Sequence, residues 1–125
     1  MAYFAIGLLP DLRAGTFVMR LSVGEIVVLI APIGVGVSVS KYVAECQKIF
    51  KQAGLKVILH SYGTNIEGDW DEVFSAIKKC HQVLHKMGAP RISSDVRFGT
   101  RTDREQSMED KIKSVEDKLS GDNIV

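Results

Sequence analysis

The sequence predicts an α+β fold: a four-stranded sheet with two helices on one face, and a third helix at the C-terminal end. Three observations predict it. Apolar runs of strand length alternate with apolar stripes of helical period in the order β-α-β-β-α-β. Glycine, proline and capping residues fall at the junctions. The first strand is apolar on both sides, so both of its faces need cover.

The first strand is EIVVLIA, Glu25 to Ala31, stopped by Pro32 and Gly34. Its short β-branched run reads as a buried strand. After the Gly/Ser turn VGVSVS, Ser40 stands as N-cap of a helix that Gly54 ends. Val43, Cys46, Ile49, Phe50 and Ala53 share its apolar face. Lys56 to Tyr62 form the second strand, and GTNIEGD a turn with a brief third strand. Asp69 or Asp71 opens the second helix. Its stripe is Val73, Ile77, Cys80, Leu84 and Met87, and Gly88 and Pro90 end it. RISSDVRFG is the fourth strand, with Ile92, Val96 and Phe98 facing away from Arg91, Ser93, Asp95 and Arg97. SMEDKIKSVEDKL is the third helix, charged apart from Met108, Ile112, Val115 and Leu119. This order is the split βαβ, or ferredoxin-like, arrangement. Right-handed crossovers put the two main helices on one side of the sheet. The other side then needs a second subunit, or the N-terminal arm, to cover it.

The expected domain runs over residues 25–120, with an N-terminal extension at 1–24 and a frayed tail at 121–125. The arm reads as an extra segment or an upstream start. Arg13, Arg20 and its small residues also fit a mitochondrial presequence, although a cytoplasmic protein is the simpler expectation. No apolar run reaches membrane-spanning length. A net charge of +1 gives no reason to expect nucleic acid or an acidic membrane as partner. Two cysteines, Cys46 and Cys80, both in helices, do not make a disulfide framework.

Few residues announce chemistry. GTNIEGDW gathers Thr64, Asn65, Glu67 and Trp70, which suits a ligand pocket with hydrogen bonds, a charge and an aromatic wall. A tight turn with a helix cap explains the same residues. APIGVGVSVS joins strand to helix, but it lacks both the dinucleotide fingerprint and the P-loop ending. His81 and His85 are four apart without the glutamate of a zinc protease, so packing is expected and no metal. His60 is expected to pack on the sheet face. No catalytic residue is assigned, since there is no G-x-S-x-G elbow and no cysteine in a nucleophilic setting. Arg101, Asp103 and Arg104 suit a cap with surface ion pairs.

Three blocks in order, VVLIAPIGVGVSVSKYVAE, GLKVILHSYGTNIEGDWDEVFSAIKKCH and RISSDVRFGTRTD, resemble the small thiamine-binding protein family. P-I-G, then G-T-x-I-E-G, then R-x-G-x-R-x-D is specific as a series, and GTRTDREQ is similar to fungal members. The resemblance implies a ferredoxin-like fold and self-association as a dimer or homotetramer through sheet surfaces. It implies non-catalytic binding of thiamine or its aminopyrimidine part, with thiamine as ligand and no cofactor. The alternative is a structural or regulatory interaction subunit without a small ligand. Thr64 and Glu67 fall in the matching motif, and Pro32, Ile33 and Gly34 at the matching strand exit, with Ser40 beyond it. Thiamine is a cation with a flat aminopyrimidine. Glu67, Thr64 and Asn65, with Tyr62 or Trp70, suit its charge, edge and face, and Asp95 on the fourth strand adds to the set.

Overall fold

The computed structural model describes residues 4–8, 19–99 and 103–121. Five strands and three helices follow in the order β1 (Phe4–Leu8), β2 (Met19–Ile33), α1 (Ser40–Gln52), β3 (Lys56–His60), β4 (Gly63–Asp69), α2 (Trp70–Lys86), β5 (Arg91–Phe98) and α3 (Met108–Ser120). From β2 to β5 this is the predicted ferredoxin-like βαββαβ unit. Its sheet runs β3-β4-β2-β5, antiparallel throughout. β1 pairs with residues 19–23 of β2, on the same edge of β2 that β5 lines further along.

The central strand is longer than the sequence suggested, starting at Met19 instead of Glu25. GTNIEGD is strand over its whole length, because each of its residues from Gly63 to Glu67 finds a partner in β3. Gly63 explains the start of that motif. Its φ is +151°, and a Cβ there would come within 2.6 Å of the Val28 carbonyl oxygen, so no larger residue fits. Gly34, at φ +81°, turns the chain out of β2. Ser40 is the first helical residue and not the N-cap. Val39 holds that position, with no side-chain hydrogen bond to the helix. Asp69 caps α2 as predicted, its carboxylate accepting from the Asp71 N–H at 3.2 Å.

The core lies between the sheet and α1 and α2. Ile26, Val28 and Ile66 meet Cys46, Ile49 and Phe50 from α1, and Val73, Ile77, Cys80 and Leu84 from α2. Tyr42 and Ala76 join it, while Ala53 of the predicted stripe is exposed. Cys46 and Cys80 are free buried thiols. A mutual hydrogen bond and burial hold the Cys80 thiol far above its ordinary range, which keeps it protonated. Trp70 stacks 4.6 Å from Phe74 and meets Phe98 edge-on at 5.1 Å, closing the α2–β5 end of the core.

The opposite face of the sheet has cover that the sequence did not suggest. A bulge in β2 sets residues 24 and 25 against Glu67 of β4, so two carboxylates stand side by side on the outer face. The first turn of α3 docks on them. Lys111 reaches Glu25 at 2.5 Å, and Glu67 accepts from the Met108 N–H at 3.1 Å. Lys56 bridges Glu67 at 3.8 Å and also pairs with Glu109. Met108 is buried there, with 1% of its surface exposed. A capping box closes the helix start: Ser107 and Asp110 exchange hydrogen bonds at 3.2 and 2.9 Å. Ile112, Val115 and Leu119 are exposed, as are Leu29, Ile33 and Ile58 on the uncovered part of the sheet. Arg101 and residues 122–125 lie outside the described residues.

Candidate functional site

The period-2 alternation of strands divides the residues predicted to form one pocket. Thr64 points into the core with Ile66, whereas Asn65 and Glu67 point to the outer face. Trp70 is held in its aromatic cluster on the helix side. Tyr62 is 82% exposed in the β3–β4 turn. Ile33 and Gly34 lie at the far end of β2, and Asp95 on β5 opposes Leu29 on the outer face. The chain therefore does not bring Glu67, Thr64 and Trp70 together. The carboxylate of Glu67 is already matched by Lys56 and the start of α3.

Asn65 is the middle of a directed chain on the outer face. The Tyr62 N–H donates to His60 Nδ1 at 3.3 Å, which leaves the ring proton on Nε2. Nε2 then donates to Asn65 Oδ1 at 3.0 Å, and Asn65 Nδ2 donates to Glu25 at 2.9 Å. His60 is thus part of a hydrogen-bonded network and not only sheet-face packing. His81 meets Ser94 Oγ at 2.6 Å, and His85 Nδ1 meets the Ala89 carbonyl at 2.7 Å. Burial, and then the neighbouring His85, pull the His81 pKa below its ordinary value. Among the described residues no group of histidine, cysteine and carboxylate side chains suits a metal, and no helix is long and apolar enough to cross a membrane.

Among the described residues, one concavity large enough for a small ring system lies on the helix side. It is an open groove of about 780 Å³ at the start of α1. The β2–α1 connection lines it with Val37, Ser38 and Val39, α1 with Ser40, Val43, Ala44 and Gln47, and the end of β3 with Leu59, His60 and Ser61. Local sequence builds it. Gly34 and Gly36, both at positive φ, swing the connection outward, and the β3–β4 hairpin folds back opposite. The walls are aliphatic, the polar atoms are hydroxyls, an imidazole and a carboxamide, and none of the lining residues is a carboxylate. The lining residue Gln47 donates from Nε2 to Thr64 Oγ1, behind the lining, at 2.8 Å. Gln47 also borders a small interior cavity, of about 30 Å³, with Thr64, Cys46 and Phe50. Of the predicted site residues, Ser40 lines this groove, and Thr64 stands behind the lining, bonded to Gln47.

Sequence reasoning missed Gln47, Val43 and Leu59. One signal was available. Gln47 is a polar residue one turn from Val43 and Phe50, on a flank of the apolar stripe, and Thr64 shares strand parity with the apolar Ile66. Two polar residues aimed at the same helix–sheet interface mark a place where a hydrogen bond must be made or a ligand held.

Comparison with known proteins agrees with this fold. The family model described as thiamine-binding protein matches residues 26–116. A UPF0045 protein of Synechocystis is 66% identical over 87 residues, covering 70% of this chain and 72% of the relative. A fungal UPF0045 protein, from Eremothecium gossypii, is 48% identical over 83 residues, covering 66% and 79%. The crystal structure of a hypothetical protein from Methanocaldococcus jannaschii superposes with a TM-score of 0.70 at 37% identity, covering 78% of this chain and 98% of that one. A putative thiamine biosynthesis/salvage protein from Thermotoga maritima shares the fold at 15% identity, with a TM-score of 0.58, over 73% of this chain and 96% of that one. The match takes in most of β2, all of β3, β4, β5, α1 and α2, the greater part of α3, and the groove: this chain is a member of the thiamine-binding protein family.

Proposed function

We propose that the protein binds thiamine or a related aminopyrimidine without transforming it, in the groove between the start of α1 and the β3–β4 hairpin. The observation that carries this reading is the groove's make-up, aliphatic walls and a Gln47 bonded to Thr64 behind them, in a chain of a family named for thiamine binding. A flat heteroaromatic ring gains from apolar walls, and its ring nitrogens and amino group gain from a few placed donors and acceptors. With no carboxylate in the lining, the ring edge and not the thiazolium charge supplies the recognition. No nucleophile backed by a base lines the groove, which favours binding over catalysis.

Calorimetry with thiamine, its phosphates and hydroxymethylpyrimidine tests the reading. Saturable heat at one ligand per chain, with a rise in melting temperature, is expected. Absence of both for every one of these compounds overturns it.

A second reading draws on a separate observation. Leu29, Ile33 and Ile58 on the sheet, and Ile112, Val115 and Leu119 on α3, are apolar side chains exposed in the single chain. In this proposal a second copy covers them, so that the binding protein works as a dimer or tetramer. A structural or regulatory subunit without a small ligand would present the same surface, and only the calorimetry separates the two.

A further inference from the structure

We infer that Gln47 is the residue that reads the amino edge of the pyrimidine, and that Thr64 acts through it by fixing its carboxamide. The inference rests on the thiamine reading above and goes beyond it by assigning the specificity to one side chain.

A carboxamide carries two N–H donors and one acceptor oxygen. The 2.8 Å bond from Gln47 Nε2 to Thr64 Oγ1 takes one donor. One donor and the acceptor are left for a ligand, side by side in one plane. A 4-aminopyrimidine edge offers the complement: an exocyclic N–H beside a ring-nitrogen acceptor. Two parallel hydrogen bonds between these edges are the pairing by which glutamine and asparagine recognise the amino edge of adenine. Ser38, Ser40 and Ser61 line the same groove, but a hydroxyl rotates freely and cannot fix a two-point edge. His60 is committed on both ring nitrogens, to the Tyr62 N–H and to Asn65. That leaves Gln47 as the planar two-point group in the lining.

Thr64 makes that plane definite. It is 5% exposed, rigid on its strand and β-branched, so its hydroxyl is a fixed post for a long, flexible side chain. Holding the carboxamide in advance removes ordering cost from the binding step. A site that spends buried polar groups on a ligand edge rejects a ligand lacking that edge far more strongly than it rejects a change of size.

The test compares thiamine with 3-benzyl-5-(2-hydroxyethyl)-4-methylthiazolium, which keeps the cation and a six-membered ring but has no pyrimidine nitrogens or amino group. Affinities are measured by calorimetry on the full chain. The unmodified protein is expected to favour thiamine at least tenfold. Gln47→Met, which keeps the length and packing, is expected to bring the ratio to threefold or less. Thr64→Val is expected to reduce the ratio in part, and Thr64→Ser to restore it. Because the readout is a ratio of two ligands on the same sample, a partly unfolded variant does not imitate the effect. If thiamine binds and Gln47→Met keeps the full ratio, the role of Gln47 is overturned while the binding reading stands. If the unmodified protein binds neither compound, both fall together.

Discussion

Glycine 63 shows how tightly single positions are constrained in this sheet. Its backbone lies at φ +151°, and its missing Cβ would point at the Val28 carbonyl. Replacing it with alanine adds a left-handed strain and a contact with rigid backbone, each of which costs of order 1–3 kcal/mol. Gly63→Ala is therefore expected to lower stability by about 2 kcal/mol or more, read from urea denaturation with an unchanged m-value. The same residue shows what a sequence can tell. The G-T-x-I-E-G motif was visible, and so was its place beside the second strand. Its division between the two faces of the sheet was not used. Strand parity alone separates Thr64 from Asn65 and Glu67, and reading the motif as a turn with only a brief strand hides that separation. Gln47 escaped for a related reason: a polar residue beside an apolar helical stripe looks like surface until the opposing strand residue is known.

At the scale of elements, α3 is the piece whose position could not be read from its own sequence. Of its apolar residues Met108, Ile112, Val115 and Leu119, only Met108 is buried. What docks the helix is polar: the carboxylates of Glu25 and Glu67, brought together by a bulge, meet Lys111 and the Met108 N–H. A negative group at a helix start is favourable, and this one fixes the helix to the sheet. The latch has a pH window. The Lys56 ammonium beside Glu109, and the Ser107 backbone N–H on Asp110, hold both carboxyl groups below their ordinary pKa values. Their contribution is complete above the ordinary carboxylate range, about pH 4, and is lost as pH falls through the lowered values. Glu109 raises the pKa of Lys56, so that contribution is complete below about pH 10 and is lost as pH rises further. The protection of α3 amides, taken relative to the intrinsic exchange rate at each pH, is expected to fall at both extremes and with added salt, while that of α1 and α2 is kept. Glu67→Ala is expected to lower α3 protection at neutral pH, at a cost of about 1 kcal/mol, the usual value of a helix-start hydrogen bond. Uniform exchange across all three helices in that variant would show that α3 is held some other way. The two main helices were legible throughout, because Val73, Ile77, Cys80 and Leu84 repeat at helical spacing and do go to the core.

For the whole molecule, the expectation that two helices shield only one side of the sheet is met by α1 and α2, and amended by the first turn of α3. Among the described residues, Leu29, Ile33 and Ile58 on the sheet and Ile112, Val115 and Leu119 on α3 are still exposed. If a second copy covers them, light scattering after gel filtration is expected to give a multiple of the 13.8 kDa chain mass. Leu29→Asp with Ile33→Asp should then shift the protein toward the monomer. A single-chain mass for the unmodified protein would end that proposal and leave the groove untouched, since the groove opens beside α1 on the helix side. The position of the ligand decides between the groove and the outer face of the sheet. An amide-resolved NMR titration of the protein with thiamine measures this directly. Shifts are expected in residues 37–47 and 59–64, with α3 and the β5 residues around Asp95 unmoved. Shifts centred instead on Glu67, Asp95 and the outer face of the sheet, with residues 37–47 silent, would contradict the groove site.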